Sequence, residues 1–303
     1  MISSLMLLLT GFVVALFAGP EPVIGAITSS LQSILKNTHG SKEYGYPTDL
    51  TRDILPSPIL IATDAIQVIT GEMNPFGPVG HDQSALTAAR TLESLYINPI
   101  LDVLERQNPE SPFVTSPTKK SRCLGHRPGS NTLLLHRCEN IRARDLRGRR
   151  RGSSPLREKG YLTTLKNNET ITNGPVTIIG TGETTLEMVA PIADRDYFFD
   201  APLADLNDPK YDEVTSLVSP IASTDFEEAV GPVTADTEPI LTDSQLSALR
   251  DQISTAKARG IGARYWNTPY WPVRTRNLVW RTLVHEGVKL LNADDLNAVV
   301  ASF

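Results

Sequence analysis

The chain reads as an α/β protein whose parallel sheet is covered by helices, and three observations lead there. Beyond Leu156, short apolar runs of strand length recur at residues 176–179, 197–199, 217–221, 261–266 and 288–291. Between the last three of these runs lie patterns with helical spacing. A length of 303 residues, 40% apolar and 21% charged, is enough to bury one large core. Strands that alternate with helices of this length form βα units, and a parallel sheet built from them must be covered on its faces. Periodicity leaves two arrangements open, a doubly wound sheet and a (β/α)8 barrel.

In chain order, the first feature is an apolar run at 5–18, broken by Thr10 and Gly11. It is short for a membrane span and suits a signal-peptide core, so residues 1–20 are expected to be a signal peptide or N-terminal anchor. The chain would then be secreted or membrane-anchored, with membrane contact through this segment. Asn168-Glu169-Thr170 is a glycosylation sequon consistent with that route. Residues 21–52, rich in Ser, Gly and Thr and without periodicity, are expected to be a linker. Residues 77–82 read as a turn running into a strand end. Leu92, Leu95, Tyr96, Ile100, Val103 and Leu104 then recur at helical spacing, with Pro99 expected to kink the helix and Pro109 to close it.

Later elements carry clearer punctuation. Thr242 with Gln245 forms a capping-box pattern ahead of a helix over 243–259; Leu246, Leu249 and Ile253 make its buried stripe, and Gly260 stops it. A second helix is expected over 277–286, ending at Gly287, with His285 in the last turn where a cation favours the helix dipole. Tyr265, Trp266 and Asn267 close the strand at 261–266 and are expected to line a substrate pocket. Trp266, Tyr270 and Trp271 could equally pack around Pro269 and Pro272.

The stretch 119–159 departs from its surroundings. It holds 13 of the 29 Lys and Arg residues and both cysteines, and without it the chain has 16 basic against 31 acidic residues. So acidic a remainder gives no reason to expect nucleic acid as a partner. Within the stretch, Cys123-x-x-His126 and His136-x-Cys138 match the spacing of a four-ligand zinc site but lack the apolar framework of a finger. Arg142 to Arg151 could neutralise phosphates of a nucleic acid or an acidic membrane, yet no aromatic residue lies among them for base stacking. Two cysteines are too few for a disulfide framework.

Three motifs together resemble a known family. They are Val79-Gly80-His81-Asp82-Gln83-Ser84-Ala85-Leu86-Thr87 with Thr91-Leu92-Glu93-Ser94-Leu95-Tyr96, then Ala263-Arg264-Tyr265-Trp266-Asn267-Thr268-Pro269, then Leu290-Leu291-Asn292-Ala293-Asp294-Asp295-Leu296. The set resembles the fungal altered inheritance of mitochondria protein 6 family, relatives of glycerophosphodiester phosphodiesterases and phosphatidylinositol phospholipases C. The resemblance implies a TIM (β/α)8 barrel of the PLC-like phosphodiesterase type, here over residues 53–303 and incomplete, with five or six of the eight strands recognisable. It also implies phosphoric diester hydrolysis in lipid metabolism, on a phosphodiester small molecule or lipid headgroup, with a divalent metal ion (Mg or Ca) as cofactor. Two histidines would shuttle protons while carboxylates hold the cation. His81 fits one of those histidines as a catalytic residue. The other, in a His-Asn-Asp-Tyr motif, has no counterpart, since the chain reads Ser57-Pro58-Ile59-Leu60-Ile61-Ala62 there. Glu72 fits one metal carboxylate, while Asn74 stands in place of the second. The Asp-x-Lys metal strand should fall inside the basic stretch and is missing from it, so turnover is expected to be impaired.

A shift of reading frame accounts for the loss. Back-translated and read one nucleotide later, residues 135–155 can encode FIDVKTSGPETFEAVVAALAP, in which Asp falls at position 137 and Lys at 139. That is the missing strand, followed by an amphipathic helix pattern. Residues 121–155 are therefore expected to be a frame-shifted, disordered segment that leaves a gap in the sheet, with unpaired backbone groups along it. The competing readings are a non-catalytic barrel that keeps the scaffold alone, and an Arg-rich segment that binds nucleic acid or acidic membrane.

Overall fold

The computed structural model describes residues 14–16, 61–62, 66–69, 91, 93–109, 132–139, 154–293 and 296–303. Its strands are β1 (Val14–Leu16), β2 (Ile61–Ala62), β3 (Ile66–Ile69), β4 (Thr132–Glu139), β5 (Thr164–Lys166), β6 (Thr170–Thr172), β7 (Val176–Gly182), β8 (Tyr197–Pro202), β9 (Ile221–Asp225), β10 (Gly262–Trp266) and β11 (Leu290–Asn292). Its helices are α1 (Asn98–Gln107), α2 (Ser154–Glu158), α3 (Leu186–Val189), α4 (Phe226–Ala229), α5 (Asp243–Ala258), α6 (Val273–Glu286) and α7 (Leu296–Ser302). The parallel strands β4, β7, β8, β9, β10 and β11 lie side by side and curl into a half-barrel compatible with part of a TIM-like barrel. The short β2 extends it in parallel beyond β11. At the other end β4 carries β1 antiparallel on Thr132–Leu134 and β3 parallel on 136–139.

The strand β4 corrects the expected gap. Positions 132–139 lie within the segment read as disordered, yet they pair in parallel with β7 from Thr132↔Val176 to Cys138↔Gly182. Thr132-Leu133-Leu134-Leu135 supplies the reason, because an apolar run of strand length buries on both faces of a parallel sheet. Leu133, Leu134 and Leu135 are all buried. Leu134 joins the cluster under α1 with Ile100, Val103, Leu104 and Ile178, whereas Leu133 and Leu135 belong to the main core with Ile179 and Phe198.

Local chemistry sets the remaining boundaries. Helix α5 begins at its capping box, with Thr242 Oγ1 accepting from the Gln245 amide and Gln245 Oε1 accepting from the Thr242 amide. Helix α6 starts four residues earlier than expected, at Val273, directly after Pro272. It ends at Gly287, whose φ of 93° is left-handed and suits glycine. Pro99 opens α1 instead of kinking it, because a π-helical turn, Glu93–Ile97, precedes it and a proline at a first helical position loses no hydrogen bond. The strand expected at 217–221 begins only at Ile221, since Val218 and Ser219 turn back onto Thr215. The β5–β6 hairpin turns through Asn167 and Asn168, both at positive φ, and places the sequon on an exposed tip.

Candidate functional site

Alternation along each strand decides which side chains face the inside of the half-barrel. Leu135, Ile179, Phe198 and Ile221 form an apolar layer there, all of them buried. One step toward the carboxyl ends the same face turns polar. Thr181 stands one position on from Gly180↔Phe199 and is therefore level with Asp200. Ser223 pairs with Arg264, and Asn292 follows two positions after the Leu290 that pairs with Arg264. Five neighbouring strands thus contribute one polar residue each to a tilted row: Thr181, Asp200, Ser223, Arg264 and Asn292. In barrels of this kind such a layer lies beneath the carboxyl-terminal face, where substrates enter.

The electrostatics of the row centre on a buried guanidinium. Arg264 is 3% exposed and donates from Nη2 to Asn292 Oδ1 at 2.5 Å and, more weakly, from Nη1 to Ser223 Oγ at 3.4 Å. A guanidinium at this depth is stable only among counter-charges and hydrogen-bond acceptors, and it suits this face of the half-barrel to an anion. Asp200 on the same face feels this charge, and its Oδ1 makes no hydrogen bond. Burial pushes the Asp200 carboxyl up from its ordinary 3.8 to about 6, against the opposing pull of Arg264 and of the Ser223 and Thr181 hydroxyls. Although protein atoms crowd this carboxyl, the residue keeps some solvent exposure, as expected for a group near the mouth of the half-barrel.

Above this row sits a rim pair. Asp225, at the end of β9, accepts from the Glu227 and Glu228 amides at 2.8 and 3.1 Å and so caps α4. Asn267, in the left-handed region at φ 55°, donates from Nδ2 to both Asp225 oxygens at 2.9 and 3.1 Å. Cap and amide together occupy both Asp225 oxygens.

Of the residues expected to form the site, His81 and Glu72 lie outside the described residues. Tyr265 is corrected: it faces the helical layer, not a pocket. Its hydroxyl donates to Gln252 Oε1 at 2.9 Å on α5, its ring meets Phe226 edge-on, and it is 1% exposed. Its place in the strand explains this, since Ala263 and Tyr265 point outward when Arg264 points inward. Trp266 ends β10 and Asn267 follows it at the carboxyl-terminal rim. His285 is exposed at the end of α6, with Nδ1 3.4 Å from Glu286. Asp200, Ser223, Arg264 and Asn292 are marked in the sequence only as single polar residues in or beside apolar strand runs.

A divalent cation does not fit the donors that are described. Among the described residues no cluster of three His, Cys, Asp or Glu side chains forms a metal-binding group. The polar row offers one carboxylate, Asp200, beside a guanidinium, and Asp225 is engaged by its cap and Asn267. Nor is any helix among these residues long and apolar enough to cross a membrane.

Comparison with known proteins gives this geometry a family. A family model described as the AIM6-like phosphodiesterase domain matches residues 68–200. An altered inheritance of mitochondria protein 6 homolog from Arthroderma benhamiae is 44% identical over 310 residues, covering 95% of this chain and 96% of that protein. Altered inheritance of mitochondria protein 6 from Eremothecium gossypii is 30% identical over 237 residues, covering 73% of this chain and 58% of its own length. The protein of that name from Saccharomyces cerevisiae is 28% identical over 240 residues, covering 72% of this chain and 59% of its own. No solved structure matches. At that identity and coverage, the chain belongs to the altered inheritance of mitochondria protein 6 family and carries a phosphodiesterase-like domain.

Proposed function

We propose that this chain is a PLC-like phosphoric diester hydrolase by descent, built on a TIM-type barrel and acting in lipid metabolism, which keeps phosphodiester recognition but turns over poorly. The observation that carries this reading is the buried Arg264, held by Asn292 and Ser223 and facing the side of the half-barrel where Asp200 lies. A phosphodiester anion is the ligand such a guanidinium accepts best, through charge-assisted and bidentate hydrogen bonds. Bound beside Arg264, that anion would disfavour ionisation of Asp200 further. A carboxyl already near 6 would then hold its proton at neutral pH and could pass it to a leaving alkoxide.

The residue types along β4 support impaired turnover. Strand β4 occupies the place that the resemblance assigns to the Asp-x-Lys strand, but positions 137 and 139 carry Arg and Glu. A carboxylate expected at the metal is therefore replaced by a residue type of opposite charge. Mg or Ca would supply charge neutralisation at the phosphate in an intact family member.

The test uses the full chain with a glycerophosphodiester, with and without Mg or Ca. Turnover is expected to be negligible with either ion, while the ligand still binds. In Arg264→Lys binding should weaken by roughly tenfold or more, as the loss of one charge-assisted bidentate contact implies. Robust metal-dependent turnover that disappears in His81→Ala would overturn the impairment. Unchanged binding in Arg264→Lys would overturn the recognition site.

A further inference from the structure

Four of the five large apolar side chains exposed among the described residues fall within eight consecutive positions: Trp266, Tyr270, Trp271 and Val273. Single surface apolar residues need no account, but a contiguous aromatic patch does. These rings do not pack around Pro269 and Pro272 as the sequence allowed, since Tyr270 is 85% and Trp271 70% exposed.

The loop is held outward from a firm base. On one side Asn267 is fixed to Asp225. On the other, Thr275 Oγ1 donates to the Ala235 carbonyl at 3.2 Å, and the Arg276 guanidinium lies 4.6 Å from the centre of the Trp280 ring. Between these anchors Pro269 and Pro272 limit the backbone, which lowers the entropy lost if the tip is immobilised. The charge beside the rings is positive. Helix α6 has no acidic residue in its first turn and no side-chain cap, and Arg274 is exposed within that turn. Its first amides and the arginine therefore offer donors to phosphate next to the aromatics.

Rings with one apolar and one polar end, set beside a cation, match the headgroup layer of a phospholipid bilayer. We propose that loop 266–274 docks the carboxyl-terminal rim of the half-barrel on a phospholipid bilayer, with Tyr270 and Trp271 among the headgroups and Arg274 at their phosphates. The interaction goes beyond the phosphodiester site and needs no turnover. The chain carries a net charge of -5, so bulk attraction to an anionic surface cannot drive it. Ring burial must, and binding to phosphatidylcholine vesicles should change little with salt.

Tryptophan fluorescence of the full chain reads this directly. Of its three tryptophans Trp280 is buried, so vesicle-induced changes report Trp266 and Trp271. Phosphatidylcholine vesicles should shift emission to the blue and shield these rings from acrylamide. A Tyr270→Ser/Trp271→Ser variant should partition roughly tenfold or more weakly, in line with the loss of two large buried rings, and unfold at the same temperature as the parent. Equal partitioning of variant and parent would overturn the proposal and point to residues 5–18. So would a lack of vesicle binding, or a self-association in sedimentation that the variant abolishes.

Discussion

Replacing Asp200 by Asn tests the polar row without touching the rim. In the native chain this carboxyl holds its proton up to about pH 6, while the unfolded chain releases it near 3.8. Between those values the native state binds more protons, so stability falls as pH rises and stays lower above pH 6. One pKa unit corresponds to about 1.4 kcal/mol, so the displacement is worth on the order of 3 kcal/mol, present below pH 4 and lost by pH 7. Asparagine keeps the shape and carries no charge at any pH. Asp200→Asn should therefore be more stable than the parent at pH 7.5, by up to about 3 kcal/mol, and similar to it at pH 4. Urea unfolding at several pH values measures the difference. Glu187, drawn down to about 2 by hydrogen bonds from its own backbone amide, Thr185 and Lys210, has the opposite dependence, but it is common to both proteins and cancels. A difference between variant and parent that does not vary from pH 4 to pH 7.5 would refute the reasoning. So would an Asn variant less stable at neutral pH, which would make the Arg264 attraction the larger effect.

Tyr265→Phe removes one buried hydroxyl that is bonded to Gln252 and should cost about 1 kcal/mol in urea unfolding without changing phosphodiester affinity. A change in affinity at constant stability would return Tyr265 to the pocket. Thr242→Ala removes one half of the α5 capping box and should cost about 1 kcal/mol, read as a lower urea midpoint with an unchanged slope.

The parallel architecture was legible because β7 and β8 are runs of Val, Ile and Phe and because α5 announces both of its ends. Helix α6 was legible only from its second turn onward. Its N-cap is a proline, so none of the usual Ser, Thr, Asp or Asn signals marks the start. The row around Arg264 was harder to read. Ser223 and Asn292 become site residues through registers linking β9, β10 and β11, and no local pattern specifies how distant strands align. Tyr265 went wrong for the complementary reason: neighbours along a strand face opposite sides, so a residue between two rim candidates need not share their fate.

Strand β4 joins the sheet through amide and carbonyl groups, which every residue but proline carries in full, and through three leucines that precede positions 137 and 139. Nothing in that bonding inspects what stands at 137 or 139. A wall of the half-barrel can thus be raised whatever stands at those two places, provided the strand begins with enough apolar side chains. Conversely, Arg137→Asp and Glu139→Lys would place there the carboxylate and lysine that the family resemblance implies, while the leucines and the backbone pairing stay as they are.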